Sequence, residues 1–388
     1  MRAVFKWVAR LALMLCLAVA LVGIWKREEV SRLLAVNSLF APDKIVHNFS
    51  NMDQLFWTTP VSRGDGPVSP LPQGTAMTLP TSTDDWIERR ALTGLLVLKG
   101  SEIRHEAYYL DTTPEDRRIS WSMAKSYISA LLGILVDEGA LALEDPLIKH
   151  VPALKGSAYE NTRVIDALHM SSGISFNEDY LDFHSDINKM GRVLALGGSM
   201  DAFAAGQDQI RDTPGASWHY VSIDTHVIGM AIRGATGRSI PDLMQEKLIA
   251  PLGMEEDALM ITDGAGVSFV LGGLNIRLRD YGRFGQMVLQ DGMWQGKRIL
   301  PEGWVKRSGT FTAPTAAGKH AYGLHWWGAH DPREGEFFAR GVYGQYIYIN
   351  TPLDVVIVVT SADRLFRQKG VSREMVDMLR NIAAAAQN

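Results

Sequence analysis

The sequence predicts an α+β fold in which one antiparallel sheet is flanked by helices, with an apolar helix ahead of it. Two strand-like segments, residues 95–98 and 103–110, lie early in the folded part of the chain, and two more lie late, within residues 346–360. Helical and polar segments occupy the stretch between them, and an uninterrupted apolar run, residues 11–25, precedes them all. Strands at both ends with helices between them favour an α+β layout in which the terminal segments share one sheet.

The N-terminus has the layout of a secretory signal or a signal-anchor. Basic residues precede the apolar run, and Lys26 and Arg27 close it. Residues 7–25 provide enough helix to cross a bilayer, which needs about 20 residues. A cleaved signal peptide is the alternative, with a small-residue site at residues 18–20, but the apolar run continues beyond that site. This continuation favours an uncleaved transmembrane helix. Basic residues flank it almost equally, so charge does not set its orientation, and a folded body outside the cytoplasm is the default for such an anchor.

Length and composition indicate one large folded unit after this segment. The chain has 388 residues, of which 46% are hydrophobic and 21% charged, so it can bury a large core. Residues 58–85 are rich in Pro, Gly, Ser and Thr and show little apolar periodicity, which is typical of a linker or a surface arm. We therefore divide the chain into a signal-anchor segment (1–30), a linker and N-terminal arm (31–85) and one domain (86–388).

The elements of the domain follow from local patterns. Lys99 and Gly100 are a tight-turn pair between the first two strands. Residues 126–138 are apolar on nearly every face and end at Gly139, which predicts a helix in the middle of the domain. The late strands flank a turn at residues 350–354, and residues 372–385 predict a closing helix.

Composition and motif content exclude several classes of function. The formal net charge of -4 and the scattered basic residues argue against a nucleic-acid partner. The single cysteine, Cys16, lies in the apolar run, so this chain has no internal disulfide and no cysteine-based metal site. His320, His325 and His330 are spaced by five, which fits neither a helical face nor the usual zinc patterns. Neither a His-Glu-x-x-His motif nor a phosphate-binding loop is present, and we expect no metal and no cofactor.

The strongest chemical motif is Ser-x-x-Lys at Ser122 and Lys125. Residues three apart share a helix face, so the lysine amine can lie beside the serine hydroxyl. Serine is a poor nucleophile unless a neighbour takes its proton, and a desolvated lysine with a lowered pKa can do so. The motif also occurs by chance in a chain of this length, so an N-capping serine and a solvated lysine are the alternative.

Further motifs follow in order, and with them residues 90–385 resemble the β-lactamase-related serine hydrolases. That superfamily contains class C β-lactamases, DD-peptidases and related esterases, and the likeness is greatest to the 6-aminohexanoate-dimer hydrolases. The motifs are residues 122–126, 168–173, 214–215 with 220–222, 272–274 with 279–280, 292–296 and 341–345. The resemblance implies a β-lactamase/transpeptidase-like fold with a mainly helical subdomain beside the sheet. It also implies that Ser122 and Lys125 are catalytic.

The second family motif assigns roles around Tyr220. In the family this tyrosine lies against the nucleophile and moves protons between it and the leaving group. Ser222 stands where β-lactamases have Asn, a form also found among the aminohexanoate-type relatives, and it is expected to bind substrate. Tyr180 resembles a tyrosine that contacts the substrate amide in those relatives, and Trp327 is expected to wall the pocket. Packing is the alternative for both Tyr180 and Trp327.

The third family motif, Lys-Thr-Gly on an edge strand, aligns with residues 339–341, so its lysine is absent. The resemblance implies that the backbone amides of Ser122 and Val342 form the oxyanion hole, which needs N–H groups and no particular side chain. Gly341 permits close backbone approach and is expected at the substrate-binding edge. Without the lysine, recognition of the carboxylate of β-lactams and cell-wall peptides is in doubt. Arg340 is the nearest cation, but neighbouring strand positions face opposite ways.

Residues and resemblance together predict a serine hydrolase that cleaves ester or linear amide bonds through an acyl-enzyme on Ser122. A cell-wall DD-peptidase or weak β-lactamase is one alternative, and a catalytically silent peptidoglycan-binding module on the same fold is another. The expected partners are a small-molecule ester or amide and, through the N-terminal helix, a bacterial inner membrane, with the catalytic domain in the periplasm. The sequence leaves the physiological substrate and the oligomeric state open.

Overall fold

The computed structural model describes residues 2–388, apart from the side chains at positions 2, 3, 28 and 29. The strands are β1 (Thr58–Val61), β2 (Leu92–Lys99), β3 (Glu102–Tyr108), β4 (Arg118–Ile119), β5 (Ala258–Ile261), β6 (Leu274–Ile276), β7 (Met293–Trp294), β8 (Lys297–Arg298), β9 (Glu336–Gly341), β10 (Gln345–Asn350) and β11 (Val355–Ser361). The α-helices are α1 (Arg2–Trp25), α2 (Arg27–Ser38), α3 (Ile45–Ser50), α4 (Thr83–Arg89), α5 (Ala124–Asp137), α6 (Leu147–His150), α7 (Val164–Leu168), α8 (Asp186–Ala195), α9 (Met200–Ala205), α10 (Ser222–Thr236), α11 (Ile240–Met244), α12 (Ala250–Leu252), α13 (Leu278–Leu289), α14 (Trp304–Gly309) and α15 (Val371–Ala385). Short 3₁₀ turns lie at Met52–Gln54, Trp121–Met123 and Pro152–Leu154, and a π turn lies at Gln245–Ile249.

The central sheet has the strand order β3-β2-β11-β10-β9 and is antiparallel throughout. Val97 of β2 faces Ile357 of β11, so an early strand pairs directly with a late one. The predicted α+β layout, with terminal segments sharing one sheet, is confirmed. Strand β9 closes one edge and ends at Gly341, where the family motif predicts an edge strand.

Helices cover both faces of this sheet because its strands are apolar on both faces. Leu95 and Val97 belong to the core beneath α15, whereas Leu96 and Leu98, which point the other way, belong to the larger core shared with α5 and α13. Helix α13 lies close to the sheet, since a side chain at its Gly285 would meet Val356 at 2.6 Å. The sheet is therefore the buried middle layer of the domain.

The helical subdomain is built around α5, whose residues 124–135 are all buried. Helix α10 packs against α5, α6, α7 and α9. Gly139, two residues beyond α5, has a φ of +73°, the left-handed conformation expected after a helix end. The predicted central helix is confirmed, and its N-terminus points to the boundary between the subdomain and the sheet.

The N-terminal arm contributes regular structure that its composition does not predict. Strand β1 pairs with β5 in a second sheet of order β1-β5-β6-β4, and its Val61 is 1% exposed. Backbone pairing of this kind needs no apolar periodicity, which explains why composition gave no signal. After β1 the chain crosses the surface without helix or long strand until α4.

Helix α1 is long and apolar enough along Val4–Trp25 to cross a membrane, and none of that stretch is buried. A signal sequence near an N-terminus has the same properties. Helix α2 follows after Lys26 alone and packs against α8 of the helical subdomain. The apolar helix is thus joined to the folded body by one short helix.

Candidate active site

Ser122 lies in a tight turn that ends one sheet and starts the central helix. Strand β4 leads into the 3₁₀ turn Trp121–Met123, and α5 begins at the next residue. The amide of Ser120 donates to the carbonyl of Leu274 at 2.7 Å, which holds the turn on strand β6. Trp121 has a φ of +43°, a conformation that costs a non-glycine residue energy and is often found at functional sites. The turn presents the half-buried Ser122 to a cavity.

Lys125 lies one turn along the same helix face, as the spacing predicts. Its Nζ is 3.3 Å from Ser122 Oγ and donates to the carbonyl of Leu271 at 2.7 Å. The side chain is 2% exposed, and this burial lowers the pKa of Lys125 to about 7, although the carboxyl groups of Glu178 and Asp224 act to raise it. A large share of the amine is therefore neutral near pH 7 and able to accept a proton from the serine hydroxyl.

Tyr220 completes a group of three. Its ring centre is 5.6 Å from Lys125 Nζ. Burial, followed by the charge of Glu178, raises the pKa of Tyr220, so the neutral phenol is the stable form at neutral pH. The side chains of Ser122 and Ser222 are near enough to its hydroxyl to act to lower the pKa of Tyr220. The structure thus brings together the three predicted catalytic side chains, which come from α5 and from the loop before α10.

Glu178 is a site residue that the sequence analysis did not single out. Its carboxylate accepts hydrogen bonds from the amide and hydroxyl of Ser222 and from the Tyr180 hydroxyl at 3.1 Å. Burial raises the pKa of Glu178, while these donors and Lys125 oppose the rise. The sequence feature that could have identified Glu178 is its position two residues before Tyr180, the tyrosine predicted to contact substrate.

Asp224 is a second carboxyl group in the electrostatic neighbourhood of Lys125. It is the third residue of α10, is fully buried and accepts from the Tyr159 hydroxyl at 2.7 Å. Burial raises the pKa of Asp224 to about 8. Within the part of the chain that the structure describes, no three His, Cys, Asp or Glu side chains are grouped to hold a metal ion.

Ser122 and Val342, whose amides are predicted to form the oxyanion hole, both line the cavity. Across residues 2–388, neither N–H has a backbone acceptor. Gly341 brings the end of β9 against the serine turn, since a side chain there would lie 2.5 Å from the carbonyl oxygen of Ser120. Two unpaired N–H groups beside the serine match the needs of an oxyanion hole, and that role stays a prediction.

The predicted substrate-binding residues fall into two groups. Tyr180 and Ser222 line the cavity with Ser122. Trp327 lies outside the cavity lining, with its ring centre 5.2 Å from that of Tyr220, so it packs behind the tyrosine. Arg340, also outside the lining, lies over Trp327 at 5.6 Å and donates to Ser372 at 3.1 Å.

The cavity has a volume of about 360 Å³, within the usual size range of small-molecule sites. Its inner wall comes from the serine turn and the start of α10, and its outer wall comes from α8 and the preceding loop. The end of α2 and the following residues, Leu39 and Phe40, also belong to the outer wall. Sequence analysis placed this segment in a linker, because nothing local indicates that it reaches the site.

Comparisons with known proteins identify relatives that share this fold. A 6-aminohexanoate-dimer hydrolase from Paenarthrobacter ureafaciens is 29% identical over 331 residues, which cover 81% of this chain and 84% of that protein. The structure of a candidate 6-aminohexanoate-dimer hydrolase from Bacillus anthracis has a TM-score of 0.80 at 20% identity and covers 90% of this chain and 96% of its own. A D-stereospecific amidohydrolase from Streptomyces sp. has a TM-score of 0.53 at 18% identity, with coverage of 74% and 93%.

These likenesses confirm the predicted resemblance and the β-lactamase/transpeptidase-like fold, and they support a hydrolase. The family model named Beta-lactamase matches residues 88–379, which is more than half of the chain. The chain therefore belongs to the Beta-lactamase family.

Proposed function

We propose that this protein is a serine hydrolase that cleaves ester or linear amide bonds through an acyl-enzyme on Ser122. The observation that carries the proposal is the 3.3 Å approach of Lys125 Nζ to Ser122 Oγ, with a pKa of Lys125 lowered to about 7 by burial. A surface lysine would be protonated at neutral pH and could not act as a base. Here the buried base lies behind the nucleophile, and the nucleophile borders a cavity.

Acylation begins when Lys125, directly or through Tyr220, takes the proton from Ser122 Oγ. The oxygen attacks the substrate carbonyl carbon, and the amides of Ser122 and Val342 hold the oxygen anion that forms. Tyr220 then donates a proton to the leaving alcohol or amine as its bond to the carbonyl carbon breaks. The acyl group remains on Ser122.

Deacylation reverses these roles with water as the nucleophile. Tyr220, which gave its proton to the leaving group, takes one proton from water as the water oxygen attacks the acyl carbonyl. Protonated Lys125 returns its proton to Ser122 Oγ as the bond between Oγ and the acyl carbon breaks. Glu178 fixes Ser222 and Tyr180 at the cavity wall and places a negative charge near Lys125. This makes Glu178 a positioning residue in the proposed mechanism.

The absent third-motif lysine supports linear substrates over β-lactams. Arg340 packs over Trp327, donates to Ser372 and lies outside the cavity lining, so the contacts of its guanidinium are made away from the cavity. The relative from Paenarthrobacter is named for a linear amide, the 6-aminohexanoate dimer. Both facts favour a linear ester or amide as substrate.

Covalent labelling of the full-length protein tests the proposal. A fluorophosphonate should add to Ser122, as located by peptide mass spectrometry, and Ser122→Ala should lose both the adduct and p-nitrophenyl ester hydrolysis. A penicillin adduct without a fluorophosphonate adduct would instead indicate a DD-peptidase. No adduct with either reagent would indicate a catalytically silent module and would overturn the proposal.

We also propose that α1 is an uncleaved anchor in a bacterial inner membrane, with the hydrolase domain in the periplasm. Its exposed apolar stretch Val4–Trp25 and the basic residues on both sides support this. The intact mass of the protein extracted from membranes should include residues 1–25. A mass that begins after residue 20 would show a cleaved signal peptide.

A further inference from the structure

Part of the outer wall of the cavity comes from the chain that directly follows α1. Val36 and Asn37, in the last turn of α2, line the cavity, and Leu39 and Phe40 continue that lining. At about 1.5 Å per residue, Val36 lies roughly 14 Å along α2 from its first residue. The headgroup layer of a bilayer is roughly 5–8 Å thick on each side. A membrane crossed by α1 would therefore lie close to the entrance of the cavity.

Both edges of this entrance expose large apolar side chains. On α2, Val30 is 47% exposed and Leu34 is 63% exposed, and they lie on the same helix face as Asn37 of the cavity wall. On the loop before α8, Leu181 is 87% exposed and Phe183 is 63% exposed, and both line the cavity. Apolar side chains gathered around an opening are typical of a surface that contacts lipid or another apolar body.

The interior of the cavity is also mainly apolar. Seventeen of its 24 lining residues have apolar or aromatic side chains, and Arg192 is the only charged one among them. The Arg192 guanidinium lies 4.2 Å from the ring centre of Phe183, so the positive charge belongs to the entrance. Lys26 and Arg27 lie where α1 meets α2, but Glu28 and Glu29 follow them, so residues 26–29 carry no net charge. Arg192 is therefore the cation that anionic lipid headgroups would attract at this entrance.

We propose that the entrance between α2 and residues 181–183 lies against the membrane, and that the substrate is a long-chain fatty-acid ester or amide drawn from the bilayer. The alkyl chain would lie along the apolar wall, with its carbonyl carbon at Ser122. Hydrolysis would release the fatty acid and a polar alcohol or amine. This inference rests on the proposed serine-hydrolase function and names its substrate class.

The first test compares acyl-chain lengths. Full-length protein in vesicles of phosphatidylethanolamine and phosphatidylglycerol is assayed with p-nitrophenyl acetate, butyrate, octanoate and laurate. Each methylene that the cavity buries should raise kcat/KM by about fourfold. The increase should stop when the acyl chain is as long as the cavity can hold. A kcat/KM that is flat or falls with chain length would overturn the long-chain substrate class.

The second test separates membrane contact from chemistry with two matched variants. Val30 and Val68 are both half-exposed valines, at 47% and 44%, and neither lines the cavity. Val30→Glu should lower the vesicle laurate rate about fivefold more than the acetate rate, because it replaces lipid contact by a charge. Val68→Glu should leave both rates unchanged. Equal effects of the two variants would overturn the membrane-facing entrance.

The outcomes distinguish this inference from the proposed function. Ser122-dependent acetate hydrolysis without a preference for laurate would overturn the substrate class and leave the serine hydrolase standing. Absence of acetate hydrolysis together with absence of a fluorophosphonate adduct would overturn both.

Discussion

The two walls of the cavity differ in almost every physical property. The inner wall presents Ser122 to the cavity, and Lys125 and Tyr220 lie behind that lining on the central helix and on the loop before α10, with the lysine 2% exposed. The outer wall is mainly apolar, partly exposed and built from segments around α2 and α8. The proposed chemistry needs a buried wall that lowers the pKa of Lys125. The outer wall, which is partly exposed, is instead suited to selecting the substrate.

The inner wall is fixed by hydrogen bonds to α5. Ser126 and Ser129 donate to the carbonyls of His325 and Leu324, each at 2.8 Å. The outer wall is held by ring contacts, since Phe40 stacks on Tyr343 with ring centres 4.6 Å apart. Substitutions in the inner wall should therefore change the rate of chemistry, and those in the outer wall should change substrate affinity.

The largest expected effect breaks the base of the inner wall. Lys125→Ala should lower kcat/KM for p-nitrophenyl butyrate by about 10³-fold, because it removes the amine that lies beside Ser122 with a pKa lowered to about 7. Lys149→Ala, at a half-exposed surface lysine, is the control and should have no effect. A loss of less than tenfold would exclude Lys125 as the base.

The pH profile tests the same residue in the unmodified protein. Because the pKa of Lys125 is lowered to about 7, the amine is protonated and inactive as a base below that pH. The value of kcat/KM should therefore rise with pH to a plateau, with its midpoint near 7. A profile that is flat between pH 5 and 9 would contradict this assignment.

The next largest effect concerns proton transfer to the leaving group. Tyr220→Phe should lower turnover of a p-nitrophenyl ester by roughly 10²-fold, in the range usual for proton-transfer groups. The control is Tyr127→Phe, a buried tyrosine whose hydroxyl has no hydrogen-bond partner in the described chain. Unchanged turnover in Tyr220→Phe would remove this residue from the mechanism.

A smaller effect should identify Glu178 as a positioning residue. Glu178→Gln should lower kcat/KM by about tenfold and move the midpoint of the pH profile below that of the wild type. The sign follows because the carboxylate acts to raise the pKa of Lys125, and its removal lets that pKa fall further. Asp179→Asn, a half-exposed neighbour paired with Arg367, is the control. An unmoved midpoint would show that Glu178 does not act on Lys125.

The smallest effect should come from the outer wall. Phe40→Ala removes a ring from the cavity lining and should raise KM for p-nitrophenyl octanoate about fivefold, a larger change than in kcat. Phe311→Ala, at a partly buried ring outside this cavity, is the control. A change confined to kcat would contradict the expectation that the inner wall sets the rate of chemistry and the outer wall sets substrate affinity.

The same division explains which parts of the molecule the sequence could predict. Ser122 and Lys125 meet because of helical spacing, and the sheet strands are continuous apolar runs, so local pattern is enough for both. Glu178 reaches Ser222 because a loop folds back onto α10 from 44 residues away, which no local pattern encodes. Likewise, α2 became a cavity wall through packing on α8, and β1 joined a sheet by backbone pairing.

Trp327 shows the limit of reasoning by motif. The sequence predicts that it walls the pocket, but its ring packs among Tyr220, Trp218 and Tyr322. From the sequence alone, the ring of Trp327 could face either the pocket or the core. Its direction depends on packing against residues far away in the sequence, such as Trp218 and Tyr220. Its predicted contact with substrate stays a prediction.

The stacking of Phe40 on Tyr343 has a mechanical consequence. Phe40 follows the short helix that starts at the end of α1, and Tyr343 follows Val342, whose amide we assign to the oxyanion hole. The ring centre of Phe40 also lies 5.8 Å from that of Trp121, the residue before Ser122, so this one ring contacts the neighbours of both assigned amides. A displacement of the segment after α2 would therefore reach the groups beside both amides, and the proposed anchor would bear on turnover as well as on location.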